Sequence, residues 1–162
     1  IQLERELADG HSHDYDLIAV DAVSGDAIPM HLLTAECAEI YRQRLTPGGI
    51  LALHISNRAL ELEPVTRGLA RYLGWQARMV LVAKDLLEDD EGESNSRWVL
   101  VTEKAETFAH SKIRNTILGW QKSTEPGLTW TDAFASPWPV LNFWRGRGVV
   151  GGPASPGGGA RP

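Results

Sequence analysis

Apolar positions along the chain follow two rhythms, and the switches between them mark out its elements. Four short runs are apolar almost throughout: "DLIAVDA" (16–22), "ILALHIS" (50–56), "ARMVLVA" (77–83) and "SRWVLVTE" (96–103). Runs of this length and branching predict strands, the first two buried on both faces. Between those two, Cys37, Ala38, Tyr41 and Leu45 recur at helical spacing. Thr34 is placed to cap that helix, Glu36 suits its first turn, and "TPGG" (46–49) ends it. A second helix is predicted over "LELEPVTRGLARYLG" (60–74). It carries Leu62, Val65, Leu69 and Leu73 on one face, Pro64 near its start and Gly74 as a C-cap.

Strand, helix, strand, helix, strand predicts right-handed crossovers in a parallel sheet. The last two strands are separated only by "KDLLEDDEGESNS", which has no helical pattern. They are therefore expected to form an antiparallel pair joined by an acidic loop. The fold class expected is α/β: the C-terminal half of a Rossmann-like methyltransferase fold, with a mostly parallel sheet ending in an antiparallel strand pair. Beyond it, Phe108, Ala109, Ile113, Ile117 and Trp120 predict a covering helix over 105–121. The aromatic stretch 128–144, broken by Pro137 and Pro139, predicts an ordered extension packed on the sheet. Residues 1–145 are read as one partial domain lacking its first strands, and 146–162 as a disordered Gly/Pro-rich tail.

Composition narrows the classes. The 162 residues are 43% hydrophobic and 23% charged, which suits one globular domain. A net charge of −5 without a basic cluster argues against nucleic acid as a partner. The lone cysteine, Cys37, excludes an internal disulfide framework and sits among apolar neighbours, as a core residue does. No apolar run approaches the ~20 residues that a membrane helix needs. The chain opens on Ile1 with "IQLERELADG", a helical pattern already under way, and reads as a piece of a longer protein.

Chemistry concentrates where the first two strands end. Ligands of open α/β sheets bind outside the carboxyl ends of the strands. Asp21 lies at such an end, Asp26 in the loop after it, and His54, Ser56 and Asn57 at the end of the next strand. Carboxylates there can hold an ammonium group or accept its proton. Equally, Asp21 can cap a turn and Asp26 can be solvated. His54 is a pocket base or a structural histidine, while Ser56 and Asn57 more often fix a turn than touch a ligand. His11, His13 and Asp14 have metal-ligand chemistry but sit in a polar connector, and no metal is expected. His31 is a weaker candidate at the pocket mouth. Glu88 to Glu93 read as a solvated hairpin loop, and Trp75 and Trp98 as packing.

The stretch "YDLIAVDAVSGDAIPMHLLTAECAEIYRQRLTPGGILALHISNR" resembles the spermidine synthase (polyamine aminopropyltransferase) family, in its spermidine synthase-like branch. The likeness rests on the strand ending in Asp21, the Asp26 loop, "HLLT" opening a helix and "PGGILALHISN" as turn and strand. "WTDAF" (130–134) is similar to that branch's closing segment. The resemblance implies transfer of the aminopropyl group of decarboxylated S-adenosylmethionine to a diamine such as putrescine. It implies Asp26 as the catalytic proton acceptor and Asp21 as the carboxylate that orients the amine. His54, Ser56 and Asn57 are read as substrate-binding from their place at the end of the next strand, where the family commonly has Gln and Gly. Cofactor-binding residues are expected upstream of Ile1, so this chain alone is expected to be inactive. The family's usual motif is Asp, two small residues, Asp, Pro, any residue, Gly, Pro. Here "DAVSGDAIP" places two more residues before the second aspartate and lacks the Gly-Pro.

Two other readings stay open. One is a methyltransferase that uses S-adenosylmethionine on another acceptor. The other is a non-catalytic domain of a membrane-fused protein. The leading reading places the protein in the cytoplasm, at the inner face of the membrane if membrane segments are fused upstream, and leaves room for a homodimer. With its missing strands absent, "LIAV" (17–20) is expected to be an exposed apolar edge prone to aggregation.

Overall fold

Thr34 shows how local sequence starts an element in this chain. Its hydroxyl accepts the Cys37 amide at 3.3 Å as an N-cap and donates to Asp132 at 2.7 Å. The computed structural model describes residues 2–10, 15–21, 29–57, 59–82, 96–114, 117–118 and 127–141. Helix α1 (Gln2–Ala8) precedes strand β1 (Tyr15–Val20), and Thr34 opens α2 (Ala35–Arg44). Strand β2 (Leu45–His54) follows, then α3 (Glu63–Leu73) with Pro64 in its first turn. Gly74 closes α3 at φ +70°, the left-handed cap conformation that favours glycine. Strands β3 (Gln76–Val82) and β4 (Ser96–Thr102), helix α4 (Ser111–Arg114) and the two-residue β5 (Ile117–Leu118) come after it.

The sheet has four main strands extended by β5, in the order β1-β2-β4-β3-β5. Only β1 and β2 pair in parallel; β4 is antiparallel to both β2 and β3, and β5 to β3. Strands β1, β2 and β3 do run the same way, as helical crossovers require. The expected antiparallel pair is present as β3 and β4, in register from Gln76 opposite Thr102 to Val82 opposite Ser96. The expectation of a mostly parallel sheet is corrected in its pairing. Strand β4 lies between β2 and β3, because a crossover sets a strand's direction and not its neighbour.

Residues paired across a ladder share a face. Ile18, Leu51 and Val101 therefore align on one side, as do Val20, Leu53 and Val99. Helices α2 and α3 pack there, burying Cys37, Ala38, Tyr41, Val65 and Leu69 against those strands. The opposite side carries Ala52, His54, Arg78, Val80 and Trp98. A 3-10 turn (Ala105–Ala109) covers part of it, with buried Phe108 lying 5.3 Å under the Arg78 guanidinium. Leu17 on β1 stays 57% exposed.

Three other expectations change. Among the described residues of 105–121, the 3-10 turn, the four-residue α4 and β5 stand where one helix was expected. Ile117 and Leu118 instead pair with Val80 and Met79 on the open edge of β3. The "TPGG" stretch does not precede β2 but lies within it, at a register shift opposite the start of β1. There Gly48 has φ +90°, a conformation that favours glycine. The segment 127–141 packs mainly over the helices: Leu128 N–H donates to Pro64 O at 2.8 Å, Ala35 N–H donates to Trp130 O at 2.8 Å, and Trp130 joins the core. Residues 146–162 and the acidic 88–93 stretch lie outside the described residues.

Thr34 thus joins the start of α2 to the closing segment. Replacing it by Val keeps the shape but removes both roles, and is expected to lower stability by about 1–2 kcal/mol. A urea-unfolding midpoint equal to that of the wild type would count against this account.

Candidate functional site

The parallel register explains how the site is assembled. Val20 lies opposite Leu53, so the next residues, Asp21 and His54, come side by side on the face away from α2 and α3. On the other side of β2, His54 is opposite Trp98. Ser96, two residues from Trp98, shares its face because side chains alternate along a strand. Three strands therefore bring a carboxylate, an imidazole, a hydroxyl and an indole together.

The contacts are short. His54 Nδ1 lies 2.7 Å from Asp21 Oδ1, and His54 Nε2 lies 3.1 Å from Ser96 Oγ. Trp98 Nε1 donates to Ser96 Oγ at 2.8 Å, and the indole stacks on the imidazole with centroids 4.7 Å apart and an 18° interplanar angle. The partners assign the tautomer. An indole N–H only donates, so Ser96 Oγ accepts from Trp98 and keeps its own proton for His54 Nε2. Neutral His54 then carries its proton on Nδ1 and donates it to Asp21. Asp21 is 58% exposed and His54 17%, so the cluster meets solvent at its carboxylate end. At that exposure the pair adds at most about 1 kcal/mol to stability.

The other candidates separate from this group. Ser56 Oγ accepts the Arg97 amide at 2.7 Å. Asn57 Oδ1 accepts the Ala59 and Leu60 amides, each at 2.8 Å. Both side chains hold the chain as it leaves β2. His31 is exposed. Asp26, His11, His13 and Asp14 lie outside the described residues. Ser96 is the member that sequence reasoning did not single out. Its only signal is its place two residues before Trp98, which has meaning once β4 is known to lie beside β2.

A cavity of about 220 Å³ lies between α1, β1 and α2, lined mainly by Ile18, Val20, Leu32, Cys37 and Tyr41. Asp21 and Glu4 also border it. His54 does not line it, so Asp21 is the residue common to the cavity and the cluster. Burial pushes the Cys37 thiol and the Tyr41 phenol above their ordinary values of 9.0 and 10.0. Tyr41 also donates to Leu32 O at 3.1 Å. Folded chains keep both protons at alkaline pH, while unfolded chains lose them. Stability is therefore expected to fall as pH rises past about 9 to 10. Tyr41→Phe should make that decline shallower; denaturant midpoints between pH 7 and 11 check it.

No family model matches the chain, and a search of curated proteins returns no match. Among the described residues, no group of three His, Cys, Asp or Glu side chains is arranged to hold a metal ion. No helix there is long and apolar enough to cross a membrane.

Proposed function

We propose that this chain forms the acceptor side of a group-transfer enzyme of the spermidine synthase-like kind. In that reading an aminopropyl group moves from decarboxylated S-adenosylmethionine to a diamine such as putrescine. The observation that carries it is Asp21: its carboxylate, at the carboxyl end of β1, is hydrogen-bonded through one oxygen to His54, and the residue also borders an apolar cavity. An apolar lining bordered by the acidic residues Asp21 and Glu4 suits an aliphatic cation. Three strands in one direction, finished by an antiparallel one, support a methyltransferase-like fold.

A primary amine is protonated in neutral water and must lose its proton before it attacks the carbon next to the sulfonium. Oδ1 of Asp21 receives the His54 N–H, which leaves Oδ2 to face the ammonium group. Both ring nitrogens of His54 are engaged, so His54 orients Asp21 and does not contact the amine. Asp26 keeps the expected role of final proton acceptor in this reading. The sulfonium leaving group needs no further activation. The two extra residues in "DAVSGDAIP" favour a second reading, methyl transfer from S-adenosylmethionine to another acceptor.

The test uses the full-length protein with decarboxylated S-adenosylmethionine and a diamine mixture, following methylthioadenosine and polyamines by mass spectrometry. Wild type should form product, and Asp21→Asn should lower the rate by about 100-fold. Asp26→Asn should do the same. Product formation unaffected by either change would discard the residue assignments. A folded protein that binds the donor without forming polyamine would shift the reading to methyl transfer.

A further inference from the structure

The order of groups in the Asp21–His54–Ser96 cluster has a chemistry of its own, independent of amine transfer. We propose that Ser96 is an activated nucleophile, with His54 as its base, that accepts acyl groups from small activated esters. A serine hydroxyl is weakly nucleophilic by itself and is activated when a base within hydrogen-bond reach can take its proton. His54 Nε2 is 3.1 Å from Ser96 Oγ, and the other ring nitrogen is 2.7 Å from Asp21. Carboxylate, imidazole and hydroxyl thus stand in the order that nucleophilic serines use, a geometry that recurs on unrelated folds.

Two features set this cluster apart from an incidental surface contact. His54 ends β2, Ser96 lies in β4 two residues from Trp98, which the ladder sets opposite His54, and Asp21 directly follows β1, so the paired strands set their spacing. Trp98 serves both reacting groups: its ring stacks on the imidazole, and its N–H donates to Oγ. That donor stabilises negative charge as Oγ gives up its proton. Asp21 acts through His54 and is a positioning residue.

The reaction balances without a further reagent except water. Oγ attacks the acyl carbon, its proton passes to Nε2, and the imidazolium is held by Asp21. Collapse of the tetrahedral intermediate breaks the bond to the leaving alkoxide, which takes the proton from Nε2. Water, giving its proton to the same nitrogen, then releases the acyl group as a carboxylic acid and restores the Ser96 hydroxyl. With a fluorophosphonate probe, Oγ bonds to phosphorus and fluoride leaves, so labelling stops at the first stage.

The experiment treats the full-length protein with an alkyl fluorophosphonate, maps the labelled residue by peptide mass spectrometry and follows para-nitrophenyl acetate hydrolysis in parallel. Wild type should be labelled at Ser96, and Ser96→Ala should lose both labelling and hydrolysis. His54→Gln should slow labelling by about 100-fold or more. Asp21→Asn should lower the maximal labelling rate without changing the probe concentration that half-saturates it. Circular dichroism and urea midpoints establish that each variant is folded, and His54→Asn replaces His54→Gln if the latter is not. A folded wild type that is not labelled overturns the proposal, as does labelling at another residue. Ser96 labelling at an unchanged rate in the folded His54 variant also overturns it.

Discussion

Gly68→Ala is expected to destabilise the protein by about 3 kcal/mol, against the ~1 kcal/mol gain that the same change brings to an exposed helix interior. Gly68 lies in α3, and a Cβ there would run into the Leu128 carbonyl and stand 2.9 Å from Thr129 N. Those neighbours are backbone and cannot rotate aside. From the other side, a Cβ on Gly127 would meet the backbone of Arg67 and Gly68. Helix and segment therefore touch through two glycines, with the Leu128–Pro64 hydrogen bond beside them. Relieving the clash moves 127–129 outward and pulls on Trp130, which is almost fully buried. Urea unfolding measures the loss, and an Ala variant as stable as wild type would refute the contact. Gly127→Ala should cost a similar amount, and the double variant less than the sum, because either change alone opens the same contact.

Trp130→Ala is expected to cost about 3–5 kcal/mol, the range for emptying a large aromatic site in a core. The Trp130 side chain is 1% exposed and belongs to the same cluster as Leu33, Tyr41 and Val65. Its loss also loosens the start of α2, where Ala35 N–H donates to Trp130 O and Asp132 N–H donates to Glu36 Oε2 at 3.0 Å. Trp130→Phe should stay within about 1–2 kcal/mol of wild type. The indole N–H is buried and finds no hydrogen-bond partner among the described residues, so removing it offsets part of the lost volume. A Phe variant as damaged as the Ala variant would show that the indole nitrogen has a partner that matters.

Elements governed by neighbours in sequence were legible from the sequence. The Thr34 cap, the Pro64 start and Gly74 end of α3, and strands β1, β3 and β4 lie within one or two residues of their predicted places, while β2 ends near its predicted place but begins at Leu45. Each depends on local hydrogen bonding, backbone freedom or apolar period. Residues 105–121 read differently in the structure because β3 offers an open edge to Ile117 and Leu118, and helical spacing carries no information about distant strand edges. The same limit hid the site. Asp21 and His54 were legible as strand-end candidates, but Ser96 becomes their neighbour only through the insertion of β4 beside β2.

By itself, then, the sequence determined the two main helices and the existence of the four main strands, which strands run together, and that polar chemistry gathers where β1 and β2 end. Only the tertiary structure decided that β4 separates β2 from β3, that Gly68 must remain glycine, and that Ser96 and Trp98 close around His54. The physical reason is range. Caps, turns and periodicity are set by residues within a turn or two, whereas strand order, backbone contact and side-chain clusters depend on residues tens of positions apart.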